Sequence, residues 1–321
     1  MAVKTYIQKR IGASLPGRTI VRQSKRIVLP GFRGLSLYEV APPFLAQLKK
    51  TNMVERASGI SFNIVMALPP TLIFIFTLLP YLPISRQFIN EMFILIRDIV
   101  PGERNNSVII DFLRDFIDRP RNGLLSFGLL AAVYFSSNAM MGVLRAFDRN
   151  YPGFRKRKGL HNRRVALKLT LIVLVLIFLC ILILIAQSQV LKWLGVESAM
   201  WRTIIDESRW LVLILLTYGI VSFIYRHGPA VAKKWSLLTP GAVFATTLMV
   251  FATGLVSFWV EHFSNYNKVY GSISAIFILM SLIYANSLAV LAGFELNVTL
   301  TDLTRNRANG GPVVGTGQKG A

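Results

Sequence analysis

Hydrophobic positions along the chain fall into long, nearly unbroken runs separated by short polar stretches. "FNIVMALPPTLIFIFTLLPYLP" (62–83) and "YGSISAIFILMSLIYANSLAVLAGFELNVTL" (270–300) are two of them. A helix needs roughly 20 mostly apolar residues to cross a bilayer. Six runs qualify, at about 60–82, 123–147, 165–190, 210–226, 237–260 and 271–297. The fourth is the shortest, and the second carries Ser136, Ser137 and Asn138 in its middle. Between the first two runs, residues 84–119 change pattern. Phe88, Ile96 and Val100, and then Ile109, Phe112, Leu113, Phe116 and Ile117, recur at helical spacing with charges on the other faces. That periodicity predicts two short amphipathic helices lying at the interface. "SLYEVAPPFLAQLKKTNMVERAS" (36–58) predicts another, interrupted by Pro42 and Pro43 and leading into the first span.

The chain therefore divides into a basic segment over 1–56, a six-span domain over 57–300 and a tail over 301–321. The tail ends in the Gly-rich "ANGGPVVGTGQKGA", which predicts disorder. The first 56 residues contain no continuous apolar core of the kind a cleavable signal peptide needs. The predicted class is an all-α polytopic membrane protein with short interfacial helices.

Composition agrees with that pattern. Charged residues make up only 16% of the chain against about 25% in a soluble domain. Mean hydropathy is +0.52. Yet the net charge is +21, which raises nucleic-acid binding as a rival. The placement of the charges decides between the two. Alternate segments sum to 26 basic and 5 acidic residues on one side of the six spans, and to 10 and 10 on the other. The whole excess sits on one face, as positively charged loops do on the cytoplasmic side of membrane proteins. This predicts six spans with both termini cytoplasmic, and an inner-membrane location. Anionic lipid headgroups would satisfy the positive face. Membrane lipids are thus the expected partners and nucleic acid is not. Self-association into a homo-oligomer is left open by the sequence.

Several polar and proline positions within the spans invite a functional reading. Pro69 and Pro70 remove two backbone donors from the first span, which predicts a kink or break there. Asn63 precedes them. Asn138, Gly142 and Ala146 form a small-residue stripe on the second span, and Gly241 and Ala245 form a small-xxx-small pair on the fifth. Asn286, Gly293 and Asn297 share a stripe on the sixth. Asn63, Asn138, Asn286 and Asn297 are therefore candidates either to line a cavity or to pack helices.

Glu295 lies at the end of the last apolar run. It falls about 36 Å of helix rise below Gly271, beyond the roughly 30 Å of a hydrocarbon core. A carboxylate there is interfacial. The second span ends on the same side with Arg145 and Arg149, so a pair with either is expected. As an exposed interfacial pair it would be worth under about 1 kcal/mol.

No catalytic constellation is visible. The only cysteine is Cys180 and the histidines are His161, His227 and His262, scattered along the chain. There is no HxH, HExxH, GxSxG or Walker-type phosphate loop. Neither a metal site nor a bound cofactor is expected, and the chain does not read as an enzyme.

Three of these segments carry a family resemblance. "YNKVYGSISAIFILMSLIYANSLAVLAGFELN", "FSSNAMMGVLRAFDRNY" (135–151) and "FNIVMALPPTLIFIFTLLPYLP" resemble the last, second and first spans of the YihY/BrkB family of bacterial inner-membrane proteins. The resemblance covers roughly residues 35 to 300, with Leu282 standing where the family often has Trp. It implies six spans, an inner-membrane location and no established biochemical activity. It also implies that the family's former label, ribonuclease BN, is a misassignment. The resulting expectation is transport or translocation of a lipid or small solute, by a conformational change around the kinked first span. The alternative is a structural or assembly factor of the envelope, and a membrane-tethered ribonuclease is disfavoured.

The charge asymmetry can be checked directly by labelling single cysteines. Substituted Asn106 and Asn265 should react from outside the cell, and Gly159 and Thr304 only after permeabilisation. The reverse pattern would overturn the six-span topology.

Overall fold

The computed structural model describes residues 28–78, 81, 122–148, 159–193, 199–231, 234–262 and 272–309. These contain seven helices: α1 (Leu37–Lys50), α2 (Met53–Leu78), α3 (Asn122–Phe147), α4 (Gly159–Trp193), α5 (Ala199–His227), α6 (Pro240–His262) and α7 (Ser272–Ala308). Among the described residues, each of the six predicted runs falls on a long helix. Among the described residues, α2, α3, α5, α6 and α7 contain segments long and apolar enough to cross a membrane. The predicted interfacial helices of 84–119 lie outside the described residues.

Each long helix packs on its neighbours in sequence, and α7 returns to pack on α2. The six long helices thus close into a ring, with α1 lying against α7. From α3 onward, connections of 5 to 12 residues favour antiparallel packing of consecutive helices, whereas 43 residues separate α2 from α3. Large apolar side chains such as Phe127, Leu130, Val175 and Trp210 are more than 60% exposed. In water such a surface would drive association; in hydrocarbon it is the expected outer face.

Local signals start the elements at the basic end. Glu39 accepts hydrogen bonds from the Ser36 backbone N–H (2.8 Å) and hydroxyl (3.0 Å), closing the first turn of α1. Gly31 and Gly34 take positive φ in the turn just before it. Phe32, Leu35 and Val40 then pack on Leu296, Leu300 and Leu303 of α7. Thr239 caps α6, accepting the Ala242 N–H at 3.2 Å, with Pro240 as the first helical residue, where its missing N–H costs nothing.

Three expectations are corrected. Pro42 and Pro43 do not interrupt α1, and Pro69 and Pro70, where a kink or break was expected, do not break the first span: they lie inside one continuous helix. Prolines are tolerated within spanning helices when neighbouring groups compensate. Here α3 packs closely along α2: a Cβ on Gly128 would come within 3.4 Å of the Phe74 backbone, and one on Gly142 within 3.1 Å of Asn63. Just past the prolines, the Thr71 hydroxyl donates to the Ala67 carbonyl (2.7 Å) and lies 3.4 Å from Ser136. The third correction is at the C-terminus. Helix α7 runs on to Ala308, so the tail is helical past residue 301. The segments 1–27 and 310–321 lie outside the described residues.

The closest helix contact joins α6 and α7. A Cβ on Gly241 or on Gly293 would overlap the carbonyl oxygen of the other, and Ala245 packs at the same place. The two small-residue stripes seen separately in the sequence are therefore the two faces of one contact. Gly59, by contrast, faces open space. Gly59→Ala should leave thermal stability unchanged or raise it by up to about 1 kcal/mol, through the entropy of helical glycine. Gly293→Ala should lower it by about 1–3 kcal/mol through overpacking. Equal effects in thermal unfolding would refute the contact.

Candidate functional site

Residues 293–300 of α7 are all buried. A helix buried around its whole circumference lies inside a bundle and not on its rim. This stretch is the central post of the basic end, and every polar group on it needs a partner from a neighbouring helix.

Glu295 is fully buried, at 0% exposure. Its partner is Arg56 of α2, itself 8% exposed, with Arg56 Nη1 2.5 Å from Glu295 Oε1. Gln47 of α1 donates to Glu295 Oε2 at 3.3 Å. The rest of the guanidinium is also engaged. Nε and Nη2 donate to the Ala146 carbonyl at 2.9 and 2.6 Å, and Nη1 reaches the Thr51 carbonyl at 3.5 Å. Ala146 stands in the last turn of α3, where carbonyls lack helical donors and the helix dipole is negative. One planar cation therefore answers both a carboxylate and a helix end, using the fork geometry that lysine lacks. Four helices meet at this point.

The expected partners of Glu295 were Arg145 and Arg149. Arg145 is exposed, and Arg149 lies outside the described residues. Arg145 precedes Ala146 by one residue, and that step turns its side chain about 100° away from the face that meets α2 and α7. Arg56 escaped the sequence reading because it lies in the basic N-terminal region, where it counted only as topological charge. Its depth in the bundle is set by α2 starting at Met53, about two turns before the apolar run begins.

A second polar group caps α6. Asn297 Oδ1 accepts the Gly241 N–H at 2.9 Å, and its Nδ2 donates to Thr239 Oγ1 at 3.1 Å. A third ties α5 to α7: the buried Tyr225 hydroxyl donates to the Val290 carbonyl at 2.5 Å. Phe147 stacks on Phe294 with centroids 4.2 Å apart, and Trp235 packs on the same ring at 5.7 Å. The basic end is thus closed by an ion pair, a helix cap and an aromatic layer.

The four candidate asparagines do not share one set of partners. Asn63 donates to the Gly59 carbonyl (2.6 Å) and packs on Gly142 of α3. Asn138 accepts from Arg163 of α4, whose guanidinium also lies 4.7 Å over the Tyr134 ring. Asn286 donates to the Leu282 carbonyl (3.0 Å), and its side-chain oxygen has no partner. Buried hydroxyls of Ser137, Thr170, Ser222 and Thr246 are likewise without hydrogen-bond partners, so α3 to α7 each carry one such atom. Among the described residues no three His, Cys, Asp or Glu side chains gather to hold a metal ion.

Packing changes sharply along the bundle. Away from the basic end, consecutive residues are exposed: Thr253–Leu255 and Ser257–Trp259 on α6, Ile177–Leu179 on α4 and Leu213–Leu215 on α5. At 100° per residue, three consecutive exposed positions leave most of a helix's perimeter uncovered. Among the described residues, the bundle is densely packed at the basic end and more exposed away from it.

A closed ring of long apolar helices, sealed by a buried polar cluster at its positive end, defines a multi-pass helical membrane protein. Sequence comparison places it further. The family described as "Virulence factor BrkB" matches residues 44–314, and the chain belongs to that family. Its relatives include a ribonuclease-like protein, YfkH, of Bacillus subtilis, 27% identical over 77% of this chain and 89% of its own length. A UPF0761 membrane protein of Tolumonas auensis is 25% identical over 78% of this chain and 82% of its own. Another, of Chromohalobacter salexigens, is 25% identical over 78% of this chain and 60% of its own. No solved structure matches.

The buried pair makes a stability prediction larger than an exposed pair would. Arg56→Ala strands a buried carboxylate and should cost about 3–5 kcal/mol. Glu295→Gln should cost less, because the amide oxygen still accepts from Arg56. Arg56→Lys should not restore stability, since an ammonium cannot serve both acceptors in one plane. Arg145→Ala should stay within about 0.5 kcal/mol of the parent. Thermal unfolding in detergent reads all four, and similar losses for Arg56→Ala and Arg145→Ala would contradict the assignment.

Proposed function

We propose that this chain is a six-span protein of the bacterial inner membrane, with both termini cytoplasmic, that moves a lipid or small solute in building the envelope. The observation that carries this reading is the asymmetry of packing. A helix bundle with a purely structural task gains from packing along its whole length, because every uncovered interhelical face forfeits dispersion contacts. Here helices α4 to α7 are buried at the basic end and carry runs of exposed residues beyond it. A bundle closed to one side and open to the other has the form of one state of an alternating-access cycle. The pivots this reading uses are the proline pair within α2 and the Gly241–Gly293 contact between α6 and α7. The sixth span in this reading is α4, whose 35 residues rise about 52 Å.

The exposed walls are lined by Leu, Ile, Phe and Val, which favours a lipid over a hydrated solute. The unpartnered oxygens of Ser137, Thr170, Ser222, Thr246 and Asn286 favour a polar passenger or water in the packed half. The rival reading, an envelope assembly factor that moves nothing, uses the same contacts as helix glue. The ribonuclease reading is disfavoured: Glu295, a candidate acid, is spent on Arg56.

Translocation can be measured in vesicles holding a headgroup-fluorescent phospholipid and exposed to a membrane-impermeant reductant. Purified protein should speed the loss of inner-leaflet fluorescence over protein-free vesicles. No acceleration for any headgroup would remove lipid movement and leave the assembly reading.

A further inference from the structure

Helices α6 and α7 touch at Gly241 and Gly293, and further along the pair an apolar groove runs beside them. Its volume is about 450 Å³, within the ~300–1,000 Å³ typical of ligand sites. One wall is Leu248, Phe251, Ala252 and Leu255 of α6. The other is Ala285, Leu288, Ala289 and Ala292 of α7. Each set has i, i+3, i+4, i+7 spacing, so each is one face of its helix. The four alanines are what keep the groove open, being too short to meet across it. Leu48 and Met53 close its lower end, and Lys49 stands exposed at its mouth.

We infer that this groove holds an acyl chain of an anionic phospholipid, with the lipid phosphate paired to Lys49. The inference rests on the lipid form of the proposed function and names its entry site. Three observations select the occupant. First, an apolar groove at hydrocarbon depth gains nothing from water, since its lining offers no hydrogen-bond partner. Second, residues 248–255 and 285–292 run along the groove for about 10 Å of helix rise, an elongated apolar lining that suits an extended hydrocarbon chain. Third, Lys49 is an exposed cation at the basic end of the groove, and its charge would complement the phosphate of an anionic lipid on that side. The far end of the groove, at Phe251 and Leu255, opens onto the exposed part of α6. A chain seated there leads from the leaflet into the open half of the bundle.

The test uses the full chain in vesicles containing phosphatidylglycerol or phosphatidylcholine with a diazirine at the end of one acyl chain. After irradiation, adducts are mapped by peptide mass spectrometry. Adducts should concentrate on 248–255 and 285–292, several-fold above the lipid-facing positions Phe127 and Leu130. Phosphatidylglycerol should label more than phosphatidylcholine, and Lys49→Glu should cut that preference by about threefold to tenfold. Ala289→Leu, which fills the groove, should abolish the local adducts while thermal unfolding shows the variant folded. Ala252→Leu provides a second filled groove if Ala289→Leu fails to fold. Even labelling around the bundle, adducts unchanged in the filled groove, or a protein–protein crosslink there in place of lipid adducts would overturn the inference. The two proposals fail separately. Groove-specific adducts without lipid translocation would refute transport alone, whereas translocation that survives Lys49→Glu and the filled groove would refute the groove alone.

Discussion

The Arg56–Glu295 pair fixes the packing of this molecule. Two charges removed from water are costly, by several kcal/mol each, unless their remaining hydrogen-bonding capacity is met. Here the guanidinium meets a carboxylate and the exposed end of α3 at once, and the carboxylate takes a further donor from Gln47 of α1. Those demands can be satisfied only in one relative placement of α1, α2, α3 and α7. Dispersion alone would allow apolar helices to slide or rotate against one another at little cost. A polar constraint of this kind selects one register, and the Asn297 cap and the Tyr225 bond extend it to α6 and α5.

Concentrating those constraints at one end leaves the other end free. Every helix from α4 to α7 has exposed faces on consecutive residues once it leaves the sealed region. Helices α6 and α7 approach backbone to backbone at Gly241 and Gly293, and an alanine-walled groove lies further along the pair. A rigid closed end and a compliant open end suit a machine that must open to a bilayer without losing its fold. The same arrangement explains why two consecutive prolines in α2 do not break it. That helix is held along its length by α3, so the lost donors are a local defect in an otherwise supported element.

The sequence by itself determined the helices, their order and the side on which charge collects. These follow from two one-dimensional quantities, the length of apolar runs and the count of Lys and Arg between them, which need no knowledge of contacts. It also singled out Glu295 and the small residues that recur on α3, α6 and α7. Only the tertiary structure decided who meets whom. Arg56 rather than Arg145 faces Glu295 because a single residue step rotates a side chain by about 100°, and which face points inward depends on the neighbouring helices. The asparagines, alike in a linear reading, separate into a helix cap, an arginine partner and a glycine-packed side chain because each faces a different helix. Partner identity depends on three-dimensional register, and a chain whose apolar faces are nearly interchangeable in hydrocarbon carries that register only in its few buried polar atoms and its glycines.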